Sequence, residues 1–308
     1  MSADTRNMSQ GIALIVATAL TISAQDVVFK LFSSEMTLWQ IFALRGLIAV
    51  PALFILGWAR NGSIAIAREA FRLWPLARGL CLTMTFLAFY GALPFLSLST
   101  VGAANYVAPI FVALLSAHVI GEAVGRIGWI GVFLGFAGVI VLLRPGSDAF
   151  SPFALLPVAG AFFYACGHII TRTRCRTAPV AALALSLNGV MCAVGLAASL
   201  LIVAAAPSEG VAEAHPYILG LWSEVDAADW LVLALLAGFT VIIGMMLAGA
   251  YQLAPPAIAA TFEYSYLIFA ALWDILVFDI PPTAQSLTGM AMIVVAGLLV
   301  MRSRPRGA

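Results

Sequence analysis

Two stretches 158 residues apart decide the fold: Asn105–Leu114, NYVAPIFVAL, and Glu263–Leu272, EYSYLIFAAL. They agree in register at Tyr106/Tyr264, Ile110/Ile268, Phe111/Phe269, Ala113/Ala271 and Leu114/Leu272. The same ungapped shift sets Gly91–Gly131 against Gly249–Gly289, with glycines matching at both ends. Each stretch opens on a polar residue, Asn105 or Glu263, and then runs almost wholly apolar. Span by span the likeness extends to the starts of the two copies, where Ala13-Leu14 matches Ala154-Leu155 and Lys30 and Arg172 follow at similar distances. The chain therefore divides near Ser151 into two copies, 1–150 and 151–308.

Outward from these stretches the chain is apolar nearly everywhere. Of 308 residues, 63% are hydrophobic and only 9% charged, and mean hydropathy is +1.06. Soluble domains are about 45–50% apolar and roughly 25% charged. So few charges cannot dress a soluble surface, and a net charge of +1 is not that of a nucleic-acid binder. A bilayer span takes about 20 apolar residues. Apolar runs punctuated by Pro, Gly and charge give ten: 10–31, 37–58, 74–95, 98–119, 127–143, 153–171, 179–205, 230–251, 256–278 and 283–301. The first is too long for a signal-peptide core and carries Asp26 near its end, so it reads as a retained span. The fold class is all-α integral membrane protein, with the two copies forming one membrane domain.

Five spans per copy is an odd number, so the second copy enters the bilayer with opposite polarity. Inverted repeats of this kind are the signature of secondary transporters, whose site lies near the midplane at the repeat interface. Arginine placement orients the chain. With the N-terminus cytoplasmic, twelve of the fifteen basic residues fall inside: Arg6, Arg60, Arg68, Arg72, Arg78, Arg126, Arg172, Arg174, Arg176, Arg302, Arg304 and Arg306. Lys30 and Arg144 lie outside, at helix ends, and Arg45 within a span. The loop 206–229 carries five acidic residues and no basic one, as an external loop does. Both termini are thus expected in the cytoplasm of a cell with a bacterial-type inner membrane. Trp39, Trp58, Trp74, Trp129, Trp222, Trp230 and Trp273 fall at span ends or in that loop, as an interfacial belt requires.

Several chemistries are excluded. Lys30 is the single lysine and is followed by Leu31 and Phe32, so there is neither a Gly-Lys-Ser/Thr phosphate loop nor a free lysine for pyridoxal chemistry. Three histidines and four scattered cysteines form no zinc signature and no disulfide framework. No cofactor and no metal is expected, and no ATP machinery is present.

Ala92-Leu93, Gly102-Ala103-Ala104, Pro109, Gly121-Glu122, Gly131 and Gly138-Val139 resemble the repeat of EamA-type transporters, of the drug/metabolite transporter superfamily. A second copy runs through Ala250, Ala259-Ala260, Gly289 and Gly297. There the proline position holds Leu267, and Gly-Glu is replaced by Asp279 before Ile280-Pro281-Pro282. The resemblance implies ten spans, cytoplasmic termini and export of small metabolites. Within the family the chain is most similar to bacterial aromatic amino-acid exporters.

A charge at the bilayer centre costs about 2.5–3.5 kcal/mol on insertion scales, so each is a candidate for function. Glu263 lies roughly 11 Å into span 9 and suits a cargo ammonium or a coupling proton; its alternative is a protonated acid bonded between helices. Arg45 lies roughly 12 Å into span 2. It either holds a cargo carboxylate through paired hydrogen bonds or locks onto Asp26, itself a structural partner or gate residue. Asn105, Asn188, Tyr106 and Tyr264 are the remaining candidates for lining the cavity, with interhelical bonding and packing as the alternatives. His168, near the inner end of span 6, is expected to be solvated or capping. Gly128, Gly131, Gly135 and Gly138 form a small-residue row for close helix packing or for homodimerisation. Pro51, Pro109 and Pro157 are hinge candidates.

The reading is a transporter that exports small metabolites, most simply amino acids including aromatic ones, by alternating access, as monomer or homodimer. A nucleotide-sugar or lipid-linked carrier is the alternative. An intramembrane aspartyl protease built on Asp26 and Asp274 is disfavoured, because both lie near the outer ends of their spans and lack a Gly-x-Gly-Asp context.

Overall fold

The computed structural model describes residues 3–31, 36–61, 63–92, 95–96, 101, 104–121, 125–143, 152–207, 209–279 and 283–302. Leu93, Gly102, Ala103, Glu122, Arg144, Ile280, Pro281, Pro282, Arg304 and Arg306 lie outside them. Every regular element among the described residues is helical: α1 (Ala3–Leu31), α2 (Leu38–Asn61), α3 (Ser63–Ala70), α4 (Leu73–Ala92), α5 (Ala108–Leu115), α6 (Arg126–Leu143), α7 (Leu155–Arg174), α8 (Val180–Ala205), α9 (Glu209–Ala214), α10 (Pro216–Leu219), α11 (Ala227–Leu253), α12 (Pro256–Phe262), α13 (Ser265–Phe278) and α14 (Ala284–Arg302). A π turn, Ser116–Ile120, continues α5, and a 3-10 turn, Pro152–Ala154, leads into α7.

Each of the ten segments expected to cross a bilayer contains helix. Among the described residues seven helical stretches are long and apolar enough to span, and Ala108–Ile120, Arg126–Val141 and Leu287–Val300 are shorter apolar helices. Lipid is as apolar as a protein core, so large side chains stay exposed along these helices: Leu200 is 70% exposed, Leu298 54% and Ile130 59%. The prolines do not all act as expected. Pro51 lies inside α2, which continues through it. Pro157 is third in α7, in the first turn, where its missing N–H leaves no bond unmade. Only Pro109 sits directly after an interruption, at the start of α5.

The chain forms two compact units, one of Met1–Ala24, Met84–Thr177 and Met246–Ala308, the other of Gln25–Thr83 and Ala178–Met245. Both take chain from each sequence half.

In the first unit α6 packs along α14. The contact depends on missing side chains: a Cβ on Gly138 would lie 2.9 Å from the Gly289 carbonyl oxygen, and one on Gly131 2.9 Å from that of Ala296. Gly135 makes room for the Tyr264 ring, which a Cβ would meet at 2.6 Å. Gly131, Gly135 and Gly138 of the row are therefore filled from within the unit and are not free for a second copy.

In the second unit α2 packs on α8 through Gly195, where a Cβ would lie 2.7 Å from the Ala43 nitrogen and 2.8 Å from the Trp39 carbonyl oxygen. Arg78, counted above among the cytoplasmic charges, is fully buried and donates to the Leu183 carbonyl at 3.2 Å. The short helix α3 buries Ile66 and Ala70 against Leu53, Ala182 and Leu185 and leaves Arg68 exposed.

Residues 216–226 of this unit cross one end of α2 and α8 as a strap. Fully buried Gln40 holds it: its Nε2 donates to the Ser223 carbonyl at 2.8 Å, and its Oε1 accepts from the Ser223 backbone N–H at 3.0 Å. Trp39 Nε1 donates to the Ile218 carbonyl at 2.7 Å, and Trp222 Nε1 to Ser199 Oγ at 2.8 Å. Asp226 and Asp229 then cap the start of α11 reciprocally. Gln40→Leu keeps the volume and removes both strap bonds together with that from Ser223 Oγ to Gln40 Oε1 at 3.2 Å, each worth about 1 kcal/mol net. Endoproteinase Glu-C is expected to cut at Glu224 about tenfold faster in that variant. An unchanged rate would mean that the strap is held by packing alone.

Candidate functional site

The two stretches that open the sequence argument are both broken helices. In the second, α12 ends at Phe262, Glu263 and Tyr264 form a turn, and α13 resumes at Ser265. Backbone bonds there shorten to three-residue spacing: Glu263 N–H to the Ala260 carbonyl at 3.3 Å, and Tyr266 N–H to that of Glu263 at 3.0 Å. In the first stretch the turn is Tyr106–Val107, before α5. Pro109 has no N–H to offer the Asn105 carbonyl. The Ile110 N–H turns to the Val107 carbonyl at 2.9 Å instead of reaching Tyr106. The Tyr106 carbonyl so released is taken by the hydroxyl of Tyr264, which donates to it at 3.3 Å. The two breaks, at positions 158 apart, therefore touch. Their rings stand 5.9 Å apart, with Tyr266 6.3 Å from Tyr106.

Beside this contact sits Glu263. Its Oε1 accepts the hydroxyls of Tyr164 and Tyr251, each at 2.7 Å. Tyr164 comes from α7 and Tyr251 from the end of α11. His168, one turn beyond Tyr164, stacks on the Tyr251 ring at 3.8 Å with 23° between planes, and lies 4.2 Å from the Tyr164 ring. It is fully buried. The expectation of a solvated histidine fails because α7 runs on to Arg174 and turns its Ala161–Ala165–His168 face inward. Asn105, in the slot matching Glu263, has a buried Oδ1 that makes no hydrogen bond among the described residues.

Four of the expected residues, Asn105, Tyr106, Glu263 and Tyr264, thus lie in the first unit at the two breaks. Tyr164, Tyr251 and His168 complete the cluster and were not singled out as a group from sequence. The spacing of Tyr164 and His168, four apart on one helical face, was the available signal.

The other three lie in the second unit. Arg45 is 9% exposed and its Nη2 donates to Thr240 Oγ1, which also bonds the Leu236 carbonyl at 2.8 Å and has Gln25 Oε1 at 3.5 Å. Asn188 is buried and donates to the Ala184 carbonyl of its own helix at 2.9 Å. Asp26, on α1, is exposed.

Around a carboxyl and four phenols stand two abutting helix breaks, and broken helices are what many transporters build their sites for solutes and coupling ions from. Residues 9–144 match the EamA-like transporter family. The similarity to curated proteins reaches beyond that segment. A riboflavin transporter of Rhizobium johnstonii is 29% identical over 64% of this chain and 60% of its own length. A pseudopaline exporter of Pseudomonas aeruginosa is 22% identical over 96% of this chain and 98% of that protein. An S-adenosylmethionine uptake transporter of Rickettsia bellii is 20% identical over 98% and 96%. A solved crystal structure shares the fold with a TM-score of 0.74 at 18% identity, covering 96% of this chain and 97% of that one. Family and relatives point to small-molecule transport in a membrane and not to an enzyme. They do not single out amino acids, and they include both an exporter and an uptake system.

Proposed function

We propose that the chain is a secondary transporter moving a small organic metabolite across a bacterial inner membrane by alternating access. Its ten helices form two inverted five-helix repeats, 1–150 and 151–308, with both termini cytoplasmic. The observation that supports this best is the meeting of two helix breaks, Tyr106 and Tyr264, beside the Glu263 carboxyl. Irregular backbone at membrane depth is tolerated only where protein or a cavity takes up its polar groups, and here the freed carbonyl and the carboxyl are both served by phenols. In this reading Glu263 meets a cargo ammonium or a coupling proton. Asn105, Tyr106 and Tyr264 line its cavity. The cargo is an amine-bearing metabolite with a flat or aromatic part. Aromatic amino acids, exported, are the simplest members of that class, and the cargoes of the relatives show that larger ones belong in the comparison.

Purified protein in liposomes is expected to move at least one of L-tryptophan, L-phenylalanine, riboflavin and S-adenosylmethionine without ATP, at least fivefold above protein-free vesicles. Lack of movement across the whole panel would end this reading. Movement of riboflavin alone, which carries no ammonium group, would remove both the amine-bearing and the amino-acid parts of it.

A further inference from the structure

Resting on that transport reading, we propose that Tyr164 and Tyr251 are positioning residues that occupy Glu263 in place of cargo, so that the protein returns across the membrane empty. Net transport needs two reorientations, one loaded and one unloaded, whereas exchange of cargo for cargo needs only the loaded one. A buried carboxyl stripped of donors is expensive to carry through any rearrangement, because the lost hydrogen bonds are not replaced by water. In the loaded form the cargo supplies the donors. In the unloaded form Tyr164 and Tyr251 supply them, both at 2.7 Å and both to Oε1.

The two donors are built in. Tyr251 is fully buried among Ile15, Val112, Ala165 and Ala260, and its ring stacks on His168. Tyr164 rides on the same helix as His168, so α7 carries one donor and braces the other. Both hydroxyls converge on one oxygen, and Oε2 carries neither of them. An incoming ammonium thus has Oε2 to approach before it takes over from the phenols at Oε1. The protein is accordingly a net transporter and not an obligatory exchanger, and the tyrosine hydroxyls are what make it so.

The test compares two fluxes in liposomes, with labelled L-tryptophan, riboflavin and S-adenosylmethionine as probes. Net efflux is measured into cargo-free buffer, and exchange against the same compound unlabelled outside. Wild type is expected to show both at similar rates. Tyr164→Phe/Tyr251→Phe keeps both rings and the stack on His168, and should raise the ratio of exchange to net efflux about tenfold. Each single variant keeps one donor and should fall in between, which serves if the double variant does not fold. An unchanged ratio, or a parallel fall in both fluxes, overturns the tyrosine proposal and leaves transport standing. A wild type that moves none of the probes overturns both.

Discussion

Glu263→Gln is expected to lower flux of an amine-bearing probe at least tenfold while leaving the protein folded. Glutamine is nearly isosteric, and its carbonyl oxygen still accepts from Tyr164 and Tyr251, which donate at 2.7 Å to Oε1. Packing is therefore kept and only charge and proton exchange are lost. Hydrogen bonds to a charged group are worth about 1.5–3 kcal/mol, and each 1.4 kcal/mol is about tenfold in an equilibrium constant. The measurement is initial flux in liposomes, paired with thermal melting of the detergent-purified protein. Full flux in the variant would make Glu263 a structural acid. Loss of flux together with loss of folded protein would locate the effect in the helix break instead.

Gly138→Leu is expected to have the largest effect on stability. Its Cβ would stand 2.9 Å from the Gly289 carbonyl oxygen and 3.0 Å from Met292 Cβ. The nearer obstacle is backbone, so no rotamer change relieves it and α6 must separate from α14. Overpacking in a well-filled core costs about 1–3 kcal/mol, occasionally more, and a whole helix–helix seam is at stake here. The variant should lose monodispersity on size exclusion and melt at least 10 °C lower than wild type. Phe133→Leu, at a site on the same helix that is 55% exposed, should change neither. Because Gly135 on the same face accommodates the Tyr264 ring, a shift of α6 would also disturb the tyrosine contact between the two breaks.

The spans were legible in the sequence and the breaks were not. Apolar run length locates a helix in lipid directly, and α1, α2, α8 and α11 fall where those runs lie. The repeat aligned Tyr106 with Tyr264 but left 98–119 and 256–278 as continuous spans, because a break leaves the apolar run uninterrupted. Which face of a helix turns inward was not legible. In water the polar face marks solvent, but in a bilayer both faces are apolar, so in α7 only the four-residue spacing of Tyr164 and His168 sets their side apart from the side bearing Phe162. The burial of Arg78 was not legible for a related reason: position along the chain counted it among the cytoplasmic charges, and the Leu183 carbonyl that it meets is 105 residues away. The strap is non-helical from Gly220 to Asp226 and is held by side chains 179 and 183 positions away along the chain, a separation that local pattern cannot reach.

The unequal heads of the two breaks, Asn105 in one and Glu263 in the other, bear on direction. A carrier without an energy source cannot choose which way cargo runs, since net movement stops when the electrochemical potential is equal on both sides. Chemical inequality between its two copies leaves that end point alone and changes how each side saturates. Half-maximal rates on the two faces will then differ, each offset by an opposite difference in turnover, as detailed balance demands. Exporter and importer become descriptions of the concentrations a cell maintains, and two relatives of one ancestor can carry opposite labels without any change in how they work.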